Sequence, residues 1–205
     1  MSRLPAPDAP DPFADGLPTL AVPSGRVRLR HPRQPDLDAL AELFSDDDAL
    51  RFWSHGAFPS RAAAQTYLDG IQEGWRDRVL FQWGIADART DALVGTVTLV
   101  GWDRRNRRVE VGFIVRPEWQ RRGIATEAVR AVLRFGFDTM ALQRVEADAD
   151  PLNTGSLALL ERLGFRREGL ARRRWLTFGT WKDSVMLGLL RDDFADGDAP
   201  ATGTR

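Results

Sequence analysis

Between Val109 and Met140 a β-branched apolar stretch, V-E-V-G-F-I-V, stops at Pro117 and leads into Gln120, Arg121, Arg122 and Gly123. Ile124, Ala128, Val129, Val132, Leu133 and Phe137 then recur at spacings of three and four, the period of an amphipathic helix. A strand therefore feeds a basic, glycine-bearing turn that opens a helix. The first N–H groups of a helix have no intrahelical partner, and its macrodipole adds about half a positive charge there. With two arginines beside it and no Cβ on Gly123, such a turn is suited to a phosphate-bearing ligand. The chain has neither G-x-x-x-x-G-K-[ST] nor G-x-G-x-x-G, which excludes the triphosphate and dinucleotide loops. On spacing alone, an ordinary basic surface turn before a core helix is the competing reading.

Two further segments bear on the choice. Gln120-x-x-Gly123-x-Ala125 after an apolar strand resembles the pyrophosphate loop, Q/R-x-x-G-x-G/A, of the Gcn5-related N-acetyltransferases (the GNAT family). The segment D-P-L-N-T-G-S-L-A-L-L-E-R-L-G-F, with Asn153, Ser156, Leu163, Gly164 and Phe165, resembles that family's N-x-x-S…L-G-F. Gly179 to Arg191 is similar to the closing strand of the branch holding the Rim-type (RimJ/RimL-like) ribosomal-protein N-terminal acetyltransferases. The three matches occur in the family's order, and the resemblance covers about Arg26 to Phe194.

The resemblance implies an α/β (α+β) GNAT fold, a central, mostly antiparallel mixed sheet of about seven strands flanked by about four helices. It implies acetyl-coenzyme A (acetyl-CoA) as co-substrate and no metal. In that frame Gln120, Arg121, Arg122, Gly123, Ile124, Ala125 and Thr126 hold the pyrophosphate. The strand residues Phe113, Ile114 and Val115 pair with the pantetheine where two strands splay, Asn153 meets the pantetheine arm, and Ser156 lies near the coenzyme sulfur.

Attack on a thioester needs a neutral amine, yet an α-amino group has a pKa near 8 and a lysine near 10.4, so a base has something to contribute. Glu110 falls where the family has A-E-I-G-Y, here V-E-V-G-F. If Val109, Val111 and Phe113 face one side of the strand, Glu110 and Gly112 face the other, toward an acceptor. The alternative for Glu110 is a plain strand carboxylate paired with Arg108. Many family members protonate the departing thiolate with a tyrosine after the Asn. The only tyrosine here is Tyr67, so Ser156 is the substitute, with a cap on a helix Leu157 to Leu163 as its alternative role. No nucleophilic triad is present, and direct transfer in a ternary complex is expected.

The remainder of the 205-residue chain sets the frame. One domain, residues 25–195, is expected between flexible tails at 1–24 and 196–205. Lys plus Arg equals Asp plus Glu at 29 each, so no global field argues for nucleic acid or an acidic membrane. Cysteine is absent, which removes disulfides and thiolate chemistry, and a cytoplasmic protein without a membrane span is expected. With His31 and His55 the only histidines, a His-based metal site lacks ligands.

Arg26 to Arg30 alternates as a first strand, Asp36 is a candidate cap for a helix Leu37 to Phe44, and Ser60 for a helix Arg61 to about Trp75. In the family these two helices wall the acceptor pocket. Trp53 and His55 between them are candidate pocket residues, or else a buried indole and a surface imidazole. Val79 to Ala86, Leu93 to Gly101, Arg144 to Ala149, Phe165 to Arg174 and Lys182 to Leu190 complete the strands. Arg104, Arg105, Arg107 and Arg108 at a hairpin tip offer an acidic or ribosomal surface a partner, or form a solvated tip. Trp175 and Trp181 on the last hairpin are either core or a homodimer surface. The expected partner is an amine acceptor, a protein N-terminus or a small molecule. The competing function is a non-catalytic acyl-CoA-binding or interaction module.

Overall fold

The computed structural model describes residues 13–195 apart from 15, 46, 48, 49, 54 and 55. The strands are β1 (Leu20–Ala21), β2 (Val27–Arg30), β3 (Leu80–Asp87), β4 (Leu93–Asp103), β5 (Arg108–Val115), β6 (Arg144–Ala149), β7 (Arg166–Thr177) and β8 (Thr180–Leu190). They form one eight-stranded sheet in the order β1-β2-β3-β4-β5-β6-β8-β7. β5 and β6 are its one parallel pair among the described strands. The helices are α1 (Leu37–Leu43), α2 (Arg61–Arg76), α3 (Ile124–Asp138) and α4 (Thr154–Arg162). A parallel neighbour needs a crossover, and α3 supplies it between β5 and β6.

Period-two alternation divides β5 between two cores. Val109, Val111 and Val115 are buried in the larger one with Ile124, Val129, Val132 and Leu133 of α3, and Phe113 packs against it. Ile114, on the opposite side, packs against the smaller core of Leu37, Leu40, Phe44, Ala64 and Leu68 from the α1–α2 region. Helices thus cover both faces of the sheet, and Glu110 and Gly112 share the α1–α2 face with Ile114. Close approach of β4 and β5 requires Gly95, because a Cβ there would stand 2.4 Å from the Ile114 carbonyl oxygen.

α2 starts as its sequence indicates, with the Ser60 side chain accepting from the Ala63 N–H at 3.2 Å. Asp36 differs. It precedes α1 but makes no side-chain cap bond, because its carboxylate takes both Arg30 Nη groups at 2.7 and 2.8 Å. Arg30 also donates its Nε to Asp91 at 2.8 Å, and the Arg28 guanidinium meets the same carboxylate. This ion cluster, nearly buried at Arg30 and Asp36, fastens the start of α1 to the β3–β4 turn.

The N-terminal reading is corrected over the described residues between 13 and 24. Phe13 is fully buried, stacked on Phe81 with centroids 4.4 Å apart and edge-on to Phe135. Leu20–Ala21 pairs with β2 and adds the eighth strand, and Trp83 Nε1 donates to the Pro18 carbonyl at 2.8 Å. Aromatic anchoring against the sheet outweighs the Pro- and Asp-rich composition that argued for a loose tail. Residues 1–12 and 196–205 lie outside the described residues.

Candidate active site

The parallel strands part company early. β5 and β6 pair only from Arg108↔Arg144 to Glu110↔Glu146, after which β5 continues to Val115 and β6 to Ala149, the latter joined to β8. From Val111 onward β5 pairs with β4 alone. A wedge therefore opens at Glu110, with unpaired strand edge along Phe113, Ile114 and Val115.

The basic turn lies beyond the end of β5. Gln120 Nε2 donates to the Val115 carbonyl at 3.0 Å, so this side chain braces the turn against the strand. Gly123 precedes α3 at φ 78° and ψ −4°, a left-handed conformation that explains why glycine stands there. No side chain caps α3. Ile124, Ala125 and Thr126 thus present first-turn N–H groups without intrahelical partners. Arg121 and Arg122 are exposed, Arg122 lies over the Trp119 ring at 5.5 Å, and Arg26 is fixed nearby by Glu127 at 2.7 Å. The donor set is cationic with free N–H groups, which fits a pyrophosphate.

Across the wedge stands the start of α4. The Asn153 side chain accepts from the Ser156 N–H at 3.1 Å, so Asn153 is the cap and the helix begins at Thr154. The alternative in which Ser156 caps a helix Leu157 to Leu163 is corrected. Ser156 lies in the first turn, half-buried, its hydroxyl not spent on a cap.

Period two along β6 puts Glu146 and Asp148 on one face, and the register Glu110↔Glu146 adds Glu110 to them. Their pairing differs. Glu146 takes Arg108 at 3.0 Å and Arg144 at 2.8 Å. Asp148 takes Arg174 Nε at 2.6 Å and Trp175 Nε1 at 3.1 Å. The Glu110 side chain has no hydrogen bond or ion pair among the described residues, so the alternative in which it pairs with Arg108 is corrected, that guanidinium going to Glu146 and Asp103. Burial is the main cause that pushes the Glu110 carboxyl above the usual carboxylate range; Asp148 and Glu146 add to it, and Arg174 opposes. Beside it, a Cβ built on Gly112 meets no atom within 4 Å. An unpaired carboxylate therefore borders open space.

The acceptor side is aromatic and charged. A cavity next to Asp148 is lined by Phe52, Trp53, Trp175, Lys182 and Asp183, and Trp53 is a half-buried wall rather than a core indole. His55 lies outside the described residues. Farther back, Tyr67 Oη donates to Gln82 at 3.0 Å, and burial raises the Tyr67 pKa to about 12. The Arg104–Arg108 tip is built on Asp103, which accepts from the Asn106 N–H, while Arg104 stacks on Trp102. Of the last hairpin's indoles, Trp175 turns to Asp148 and Trp181 is exposed. Sequence reasoning missed Asp148, Arg174 and Trp175. The alternation R-V-E-A-D-A carried a signal for the first, whereas the approach of β7 across β8 had none.

An α/β sheet with a wedge between two parallel strands, an uncapped cationic helix start beyond one and a half-buried carboxylate at its apex can seat a phosphate-bearing donor beside a proton acceptor. The comparisons make this specific. The acetyltransferase (GNAT) domain family matches residues 26–166. An uncharacterised N-acetyltransferase, p20 of Bacillus licheniformis, is 30% identical over 83% of this chain and 96% of that protein. The [ribosomal protein uS5]-alanine N-acetyltransferase of Escherichia coli is 26% identical over 90% of this chain and 98% of its own. The structure of Mycobacterium smegmatis RimJ in complex with CoA-disulfide superposes with a TM-score of 0.76 at 25% identity, covering 86% of this chain and 88% of RimJ. The chain belongs to the GNAT acetyltransferases and is an acyltransferase enzyme of the Rim-type branch.

Proposed function

We propose that the protein moves an acetyl group from acetyl-CoA to a primary amine, a protein N-terminus or a small-molecule amine, by direct transfer within a ternary complex. The observation that carries this reading is the unpaired Glu110 at the apex of the wedge, beside the open space over Gly112. The N–H groups of Ile124, Ala125 and Thr126, with Arg121 and Arg122, would hold the pyrophosphate. The free edge at Phe113, Ile114 and Val115 and the Asn153 amide would hold the pantetheine.

Acetyl-CoA, when bound, supplies the activated acetyl group and a thiolate leaving group. Glu110 accepts a proton from the acceptor ammonium, directly or through a water, and leaves a neutral nitrogen to attack the thioester carbonyl. The C–N bond forms, the C–S bond breaks, and the Ser156 hydroxyl hydrogen-bonds the departing sulfur, relaying to it the second proton that the nitrogen sheds after attack. A carboxyl raised by burial holds the proton more firmly than an exposed one, which suits it to this exchange. Among the described residues no His, Cys, Asp and Glu cluster could hold a metal ion, and no helix is long and apolar enough to cross a membrane.

The test is the melting temperature with and without saturating acetyl-CoA, with free thiol followed as amines and peptides are added. At about a hundred times its dissociation constant the ligand adds about 2.7 kcal/mol, a shift of several degrees. A shift with thiol release is expected. A shift without release from any amine would favour a non-catalytic acyl-CoA binder, and no shift would remove the turn at Gln120–Thr126 as the coenzyme site.

A further inference from the structure

Glu110, Glu146 and Asp148 share one face of β5 and β6, and arginines engage two of the three. The unengaged carboxylate is the one placed to take the acceptor's proton. Across β8 from these strands, β7 is irregular. The register between β7 and β8 shifts between Ala171 and Trp175, Arg173 adopts φ 52°, and its N–H donates to Asp183 Oδ1 at 2.8 Å. This irregularity brings Arg174 and Trp175 back over β8 to a single oxygen of Asp148. Arg174 thereby sits close enough to Glu110 to oppose its protonation, yet spends its charge on the neighbouring carboxylate.

We infer that Asp148 is a positioning residue that holds Arg174 away from Glu110 and so keeps the proposed base unpaired. This rests on the reading of Glu110 given above. Removing the Asp148 charge releases the guanidinium toward Glu110, whose proton affinity falls and whose oxygens become occupied.

The other arginines on β5 and β6 near Glu110 are held by carboxylates of their own. On its own strand Arg108 is held by Glu146 and Asp103. From β6, Arg144 is held by Glu146 and by Glu168 of β7. From the α1–α2 connection, Arg51 lies over the Phe52 ring at 4.7 Å and lines the cavity beside Asp148. From β8, Lys182 and Asp183 line the cavity beside Asp148, and Asp183 is held by the Arg173 N–H. Arg174 is therefore the cation that loses its partner when Asp148 is neutralised.

The experiment is the pH profile of kcat/KM for the amine acceptor in the full-length protein and its variants. In Glu110→Gln the acid limb should disappear. If it persists unchanged, Glu110 is not the base and the underlying reading fails. In Asp148→Asn the acid limb should move down by about one pH unit or more, as an opposite charge within hydrogen-bonding reach dictates. Asp148→Glu should leave it in place, and adding Arg174→Gln to Asp148→Asn should return it most of the way, since no guanidinium then remains to pair. A limb that stays put in Asp148→Asn overturns the inference alone, as does a double variant that keeps the full shift. The latter would mean that Asp148 acts through its own charge. Retention of the acetyl-CoA melting shift in each variant establishes that the fold and the coenzyme site persist.

Discussion

Gly123 separates the backbone requirement of the turn from its binding role. At φ 78° an L-residue costs about 1–2 kcal/mol, while Asn tolerates this region better. A Cβ meets only Arg26 Nη2, at 3.7 Å, which is ordinary contact and adds no clash. For a chain of this length each kcal/mol lowers the melting temperature by about 2–4 °C, so Gly123→Ala should melt about 2–8 °C below the parent. Gly123→Asn should recover much of that loss. Binding responds differently, because the same Cβ projects into the open side of the turn, where a pyrophosphate would lie against the α3 N–H groups. Both variants should weaken acetyl-CoA by about tenfold or more, about 1.4 kcal/mol, in calorimetric titration. Gly123→Glu should abolish binding through bulk and charge. Unchanged affinity in Gly123→Glu would refute the assignment of the turn.

Other outcomes follow from the packing and the charges. Asp36→Asn weakens the charged hydrogen bonds of the nearly buried Arg30, which keeps Asp91, and should cost about 1.5–3 kcal/mol in denaturant unfolding, with activity falling only as the folded fraction does. Phe13→Ala removes a fully buried ring and should cost about 3–5 kcal/mol; a loss below about 1 kcal/mol would mean that the segment is not held as described. Asn153→Ala should lose about 1 kcal/mol through the α4 cap and also weaken acetyl-CoA, the second effect being absent if the residue serves only as a cap. Glu110 has a raised folded-state pKa, so its protonated form favours folding, and that contribution is lost as pH rises through the raised value. Glu110→Gln should therefore melt higher than the parent at pH 8, with the difference vanishing below the ordinary carboxylate range.

Local chemistry made much of this molecule readable. β6 runs from Arg144 to Ala149 as its alternation indicates, Ser60 caps α2, and the strand–turn–helix around Gly123 follows from apolar periodicity and one glycine. What escaped depends on contacts between distant segments. Phe13 is a lone aromatic and Leu20 to Val22 a three-residue apolar run in a Pro- and Asp-rich stretch, and only the sheet they lie on makes them an anchor and a strand. Asn153 and Ser156 are both capping residue types, so composition alone could not choose between them, whereas the observed hydrogen bond does. The most consequential omission is Asp148. Its pairing with Arg174 and Trp175 requires β8 to lie between β6 and β7 and β7 to break register, and neither is written in the local sequence.

The most direct test is a crystal structure of the full-length protein grown with acetyl-CoA. The account predicts pyrophosphate density against the N–H groups of Ile124, Ala125 and Thr126, pantetheine along Phe113–Val115, and the thioester between Ser156 and Glu110. Coenzyme density bound away from the wedge between β5 and β6 would contradict it.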